Sequence, residues 1–93
     1  MIVENTTFRL APGVGDDSFL ALDKRIQTEL VPNQPGFLRR TTARRDGEWL
    51  VVTLWWSEEF ATAFAESTSD HALQQEFDRL TQGVSTARFE TLD

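Results

Sequence analysis

E-W-L-V-V-T-L-W-W-S, residues Glu48 to Ser57, is the stretch whose reading decides the fold. All but three of its side chains are apolar or aromatic, and it closes on Trp55, Trp56 and a serine suited to starting a helix. Such a run reads as a strand buried on both faces, so each face needs a cover. The chain's own helices can cover one. Alternation assigns Leu50, Val52, Leu54 and Trp56 to one face and Trp49, Val51, Thr53 and Trp55 to the other. A second copy of the chain is the expected cover for the face that the helices leave bare.

Working outward, Asp46-Gly47 just before this strand is a strong hairpin signal and joins it to a preceding strand, Phe37 to Arg45. Upstream of that lies a V-P-N-Q-P-G loop from Val31 to Gly36. Before the loop, Phe19, Leu22, Ile26 and Leu30 recur at helical spacing, behind Asp16 or Asp17 as N-cap and ending before Pro32. Met1 to Leu10 reads as a first strand, with Ile2, Phe8 and Leu10 in one register and Val3, Asn5 and Thr7 in the other. Downstream, Ser57 caps a second helix bearing Phe60 and Phe64. The run Ser67 to Asp70 interrupts it, and Asp70 restarts a helix through Leu73, Phe77 and Leu80. Thr81 to Gly83 is read as a turn and Val84 to Leu92 as the last strand.

The order βαββαβ predicts an α+β, ferredoxin-like fold in a single domain over residues 1–93: a four-stranded antiparallel sheet with both helices on one face. With the helices on the Trp55 side, the other face is expected to carry Leu50, Val52, Leu54 and Trp56 beside Ile2, Phe8 and Leu10. A patch of that kind exceeds what soluble monomers tolerate. A homodimer of facing sheets is therefore expected.

Composition bounds the function classes. Ninety-three residues with three Trp and seven Phe can build a compact core, and the absence of Cys removes disulfides, thiolate ligands and a Cys nucleophile. One His cannot make a multi-histidine metal site within one chain, and no metal is expected. A net charge of −6 disfavours nucleic acid as a partner. No apolar run of about 18 residues suggests a membrane span and no signal-peptide pattern is visible, so a cytoplasmic location is expected. Arg39, Arg40, Arg44 and Arg45, on one strand, are expected to form salt bridges to surplus carboxylates at a solvated edge, with an anion site as the alternative.

Three segments carry a family resemblance. Q-P-G-F (Gln34 to Phe37), D-G-E-W (Asp46 to Trp49) and T-L-W-W-S-E-E (Thr53 to Glu59) together resemble the antibiotic-biosynthesis monooxygenase family of dimeric α+β barrels. The resemblance implies a pocket between sheet and helices in each subunit. It also implies either oxygenase chemistry on polyketide-type aromatic substrates without metal or flavin, or haem degradation. Trp55 falls on the family's pocket tryptophan in its W-x-S segment. The polar residue that the polyketide-type enzymes place four positions earlier falls on Val51, and their tyrosine six positions later falls on Ala61. Of the haem-degrading set, the first-strand Asn is matched by Asn5, the Trp position falls on Phe64 and the His position on Gln74, with His71 three residues early.

The expected site follows from both lines. His71, the one side chain that ordinarily titrates near neutrality, and Asn5, read as helix-facing, are the candidate polar catalytic groups. Thr53, Trp55, Phe60 and Phe64 are the candidate walls for a flat substrate. Core packing for the aromatics, β propensity for Thr53 and a surface position for His71 are the plainer readings. No cofactor is expected. An oxygenase on an aromatic small molecule, a non-catalytic dimeric binding module and a haem-binding protein are the functions carried forward, in that order.

Overall fold

A computed structural model describes residues Met1–Asp93. The elements are β1 (Ile2–Leu10), α1 (Asp16–Arg25) continued by a π-helical turn (Ile26–Leu30), β2 (Phe37–Arg45), β3 (Glu48–Trp55), α2 (Glu58–Thr68), α3 (Ala72–Leu80) and β4 (Thr81–Glu90). The strands form one antiparallel sheet in the order β2-β3-β1-β4, the ferredoxin-like arrangement expected from the sequence. The hairpin between β2 and β3 turns on Asp46 and Gly47, both at positive φ (50° and 80°), which suits the twist of the flanking strands.

On β3 the alternation holds. Trp49, Val51, Thr53 and Trp55 are buried against the helices, and Leu50, Val52 and Leu54 are half-buried on the outer face. The neighbouring strand does not follow the expected register. Residues directly opposite in an antiparallel pair share a face, and β1 pairs Ile2 with Trp55, Glu4 with Thr53, Thr6 with Val51 and Phe8 with Trp49. Ile2, Phe8 and Leu10 therefore lie on the helix side, and Phe8 is 2% exposed in the core. Asn5, opposite Val52, lies on the outer face with Val3 and Thr7. The outer face is correspondingly less apolar than expected, although Trp56, just beyond β3, and Phe89 are 62% and 56% exposed.

Helix boundaries also differ in detail. Gly15, not an aspartate, is the N-cap residue of α1. His71, not Asp70, caps α3: its backbone is extended and its Nδ1 accepts from the Leu73 N–H at 3.0 Å. Ser57 does start α2, where Glu59 sits below the ordinary carboxylate pKa because its own backbone N–H and then the Ser57 hydroxyl favour the charged form. The Thr81–Gly83 segment is not a turn but the first residues of β4, paired to β1 through Leu10↔Thr81 and Arg9↔Gln82 across a bulge. A bulge lets the ladder continue past a residue that alternation alone would exclude.

The space under the helices divides into two halves. Around Phe8 it is filled: Phe19 of α1 and Phe77 of α3 meet Phe8 at ring distances of 5.3 and 5.0 Å, and Phe19 lies 4.8 Å from Trp49. These rings are tilted or edge-on, the arrangement aromatic quadrupoles prefer. Around Trp55 the space is open, and this half holds the site.

Candidate functional site

A cavity of about 490 Å³ lies between the sheet and α2, α3 and the π-helical turn. Its aromatic wall is Trp55 and Phe64, 5.1 Å apart, with Phe37 edge-on to Trp55 at 5.9 Å. Ile26, Leu30 and Val31 form the opposite apolar side. They are presented by the π turn, where the Val31 N–H reaches back to the Ile26 carbonyl at 3.1 Å. Single π turns inserted in α-helices are frequent at functional sites, because they offset the face that follows. The helical spacing of Ile26 and Leu30 conceals that insertion in the sequence.

The floor is polar, and strand register makes it so. Arg40 of β2 pairs with Thr53 of β3, Thr53 with Glu4 of β1, and Glu4 with Arg88 of β4. One row across all four strands thus reads Arg-Thr-Glu-Arg, and all four residues line the cavity. Both cations are engaged. Arg40, its side chain 6% exposed, donates to Asp23 Oδ1 at 2.8 Å and to Gln27 Oε1 at 3.0 Å, both presented by the helix above. Arg88 donates through Nε to Glu4 Oε2 at 2.8 Å and through Nη1 to Thr62 Oγ1 of α2 at 2.8 Å. Arg40 is thus a buried pair and not one of a solvated row, whereas Arg44 does pair with Asp16 at the surface and stacks 5.2 Å from the Trp49 ring centroid.

Beside this row, Trp55 is 1% exposed and its Nε1 is the one buried side-chain N or O atom in the protein without a hydrogen-bond partner. A buried donor left unmade costs about 1 to 3 kcal/mol. Thr53, 7% exposed, is its neighbour on the same strand face.

The expected site residues separate into two groups. Thr53, Trp55 and Phe64 line the cavity together. Asn5, Phe60 and His71 do not. Asn5 is on the far side of the sheet, for the register reason above. Phe60 packs over the P-G-F loop, where a Cβ on Gly36 would overlap its ring; that glycine, at φ +76°, accommodates both the turn and the ring. His71 opens to a separate cleft between α1 and α3 with Arg25, Glu29 and Glu76. Conversely, Val51, Ala61, Phe64 and Gln74, the positions to which the family resemblance assigns polar or aromatic site residues, all line the cavity. The chain presents the site positions without the corresponding site chemistry. Glu4, Arg40 and Arg88 were missed, and alternation within single strands carries no signal for them; only the pairing register does.

No protein-family model matches the sequence, and no curated protein matches it. Solved structures match over nearly the whole chain. A cofactor-independent oxygenase from Streptomyces nogalater, SnoaB, superposes with a TM-score of 0.84 at 15% identity over 99% of this chain and 93% of that one. The heme-degrader MhuD of Mycobacterium tuberculosis, with two hemes bound in its active site, gives a TM-score of 0.73 at 25% identity over 99% and 96%. A structure described as an antibiotic biosynthesis monooxygenase gives 0.79 at 12% identity over both full chains. The chain therefore has the fold of the antibiotic biosynthesis monooxygenases. No helix is long and apolar enough to cross a membrane.

Proposed function

We propose that the cavity binds a flat aromatic small molecule against Trp55 and Phe64, and that the protein is a monooxygenase-like enzyme acting on polyketide-like aromatics without metal or flavin. The observation that carries this reading is the cavity itself, an open space walled by Trp55 and Phe64 over the polar Arg-Thr-Glu-Arg floor. In such chemistry an electron-rich substrate anion itself reduces O₂, and the protein contributes position and charge stabilisation. Thr53 supplies a hydroxyl, and Arg40, Glu4 and Arg88 supply fixed charges on the floor. The likeness to SnoaB is consistent with this chemistry.

A specific observation favours a second reading, a non-catalytic ligand-binding module. Asn5 and His71, the polar groups expected to do chemistry, lie outside the cavity. Haem fits less well. The cavity lining contains no histidine, cysteine, methionine or tyrosine to hold haem iron.

The first two readings separate in one experiment: a hydroxylated anthrone is added to the protein and to Trp55→Phe, with tryptophan fluorescence and O₂ uptake followed together. Quenching with Trp55-dependent uptake is the expected result. Quenching without uptake would leave the binding module, and neither signal would overturn the assignment of the cavity to such ligands.

The same proposal includes a homodimer through the outer sheet face, where Leu50, Val52 and Leu54 are half-buried and Trp56 is exposed. Light scattering at micromolar concentration should give twice the mass of one chain, falling toward that of one chain in Trp56→Ala. A wild-type protein of single-chain mass would contradict it.

A further inference from the structure

Resting on the proposal that the cavity binds an aromatic ligand, we infer that Glu4 is a ligand-binding residue, and that its Oε1 accepts a hydrogen bond from a hydroxyl on the ring system. Glu4 stands in the central strand β1, in the cavity floor, with its side chain 17% exposed. Only one of its carboxylate oxygens is engaged: Oε2 takes the Arg88 Nε–H at 2.8 Å, and no protein donor reaches Oε1. A carboxylate has room for about four acceptor sites, so a second donor adds to the Arg88 contact without displacing it.

Charge bookkeeping along the floor sets the ligand class. Arg40 is committed to Asp23 and Gln27, and Arg88 to Glu4 and Thr62. Both floor cations are charge-paired, Arg40 with Asp23 and Arg88 with Glu4, so a carboxylate or phosphate finds no unpaired cation there. A neutral hydroxyl finds an unshared carboxylate oxygen on a partly buried floor, where such charge-assisted bonds are stronger than neutral ones. Trp55 supplies part of the flat wall beside it. Thr53 stands opposite Glu4, and Trp55 lies two residues further along the same strand face, about 7 Å away. The floor therefore presents an acceptor about one ring system from the aromatic wall. The ligand class is a planar aromatic that carries a hydroxyl at the end toward Glu4.

A ligand and variant cycle tests this. The probes are a hydroxyanthraquinone whose hydroxyl is remote from the quinone carbonyls and its O-methyl ether, each titrated by fluorescence quenching into wild type, Glu4→Gln and Glu4→Asp. Both variants are expected to lose about tenfold or more in affinity for the hydroxyl compound, the factor that one charge-assisted hydrogen bond commands. Affinity for the methyl ether should stay within about twofold. Glu4→Asp keeps the charge and an acid partner for Arg88, so it reads out reach and not folding. Equal losses for both probes would mean that Glu4 acts only by holding Arg88, and no loss would mean that Oε1 is unused; either overturns the inference while leaving the cavity's role standing. Failure of both probes to bind the wild-type protein would overturn the cavity reading and this inference together.

Discussion

Replacing Trp55 by Phe should change stability little and ligand binding much, and the same replacement at Trp49 should do the reverse. Both tryptophans sit on the inner face of β3, at 1% and 3% exposure. Indole to phenyl removes a comparable volume at each, and buried aromatic truncations all the way to Ala cost about 3 to 5 kcal/mol. The partial truncation is taken as roughly 1 to 2 kcal/mol on that scale. At Trp55 the same change removes the unpartnered Nε1–H, worth about 1 to 3 kcal/mol when left unmade. The two terms offset, and the expected net change is within about 1 kcal/mol, or roughly 4 to 8 °C in Tm for a domain of this size. At Trp49 no orphaned donor is relieved, and the stacking of Arg44 over the ring is weakened as well. Trp49→Phe should therefore lower stability by about 1.5 to 3 kcal/mol. Urea unfolding followed by circular dichroism measures both. A loss at Trp55 as large as at Trp49 would refute the claim that the indole N–H is unsatisfied in the free protein.

Two further outcomes follow from the geometry. Asp23→Ala leaves the Arg40 guanidinium, 6% exposed, without its anion, and should destabilise by about 3 to 5 kcal/mol in urea unfolding. Asp16→Ala, at the exposed Arg44 pair, should cost less than about 1 kcal/mol and serves as the comparison. Ser57→Ala should raise the Glu59 carboxyl pKa toward the ordinary 4.5 without restoring it, since the backbone N–H is the larger cause and remains. Because the folded value lies below the unfolded one, the Glu59 contribution to stability is present above the unfolded pKa. It is lost as pH falls through the folded value, and the variant should lose it at higher pH than wild type. A carboxyl titration by NMR reads the shift directly.

How far the site was legible depended on which strand carried it. β3 could be read alone: in Glu48–Trp55 the alternation assigns Trp49, Val51, Thr53 and Trp55 to one face, and those four are the buried ones. β1 could not. Its apolar residues Ile2, Phe8 and Leu10 are correctly grouped by alternation, but which face of the sheet that group joins is fixed by pairing with β3. A slip of one residue exchanges every side chain between faces. That slip takes Asn5 out of the cavity and puts Glu4 and Thr6 into it. The Arg-Thr-Glu-Arg row is invisible for the same reason, because its members come from four strands and meet only through register. His71 was misplaced by a local competition: aspartate is the better capping residue by propensity, yet the chain uses the imidazole Nδ1, which starts α3 one residue later and opens the ring to the α1–α3 cleft. The Thr81 start of β4 was hidden by Gly83, whose φ of +63° marks a turn in most contexts and here sits within the strand.

The central claim is that an aromatic ligand enters the cavity and packs beside the indole of Trp55. The three indole N–H resonances, assigned by single Trp→Phe variants, can be followed in a nitrogen–proton correlation spectrum while a hydroxyanthraquinone is titrated in. The Trp55 resonance is predicted to shift under the ring current of the bound aromatic, with Trp49, in the filled half of the core, and Trp56, on the outer face, nearly still. A titration that moves Trp56 and leaves Trp55 in place would put the ligand on the wrong side of the sheet and contradict the account.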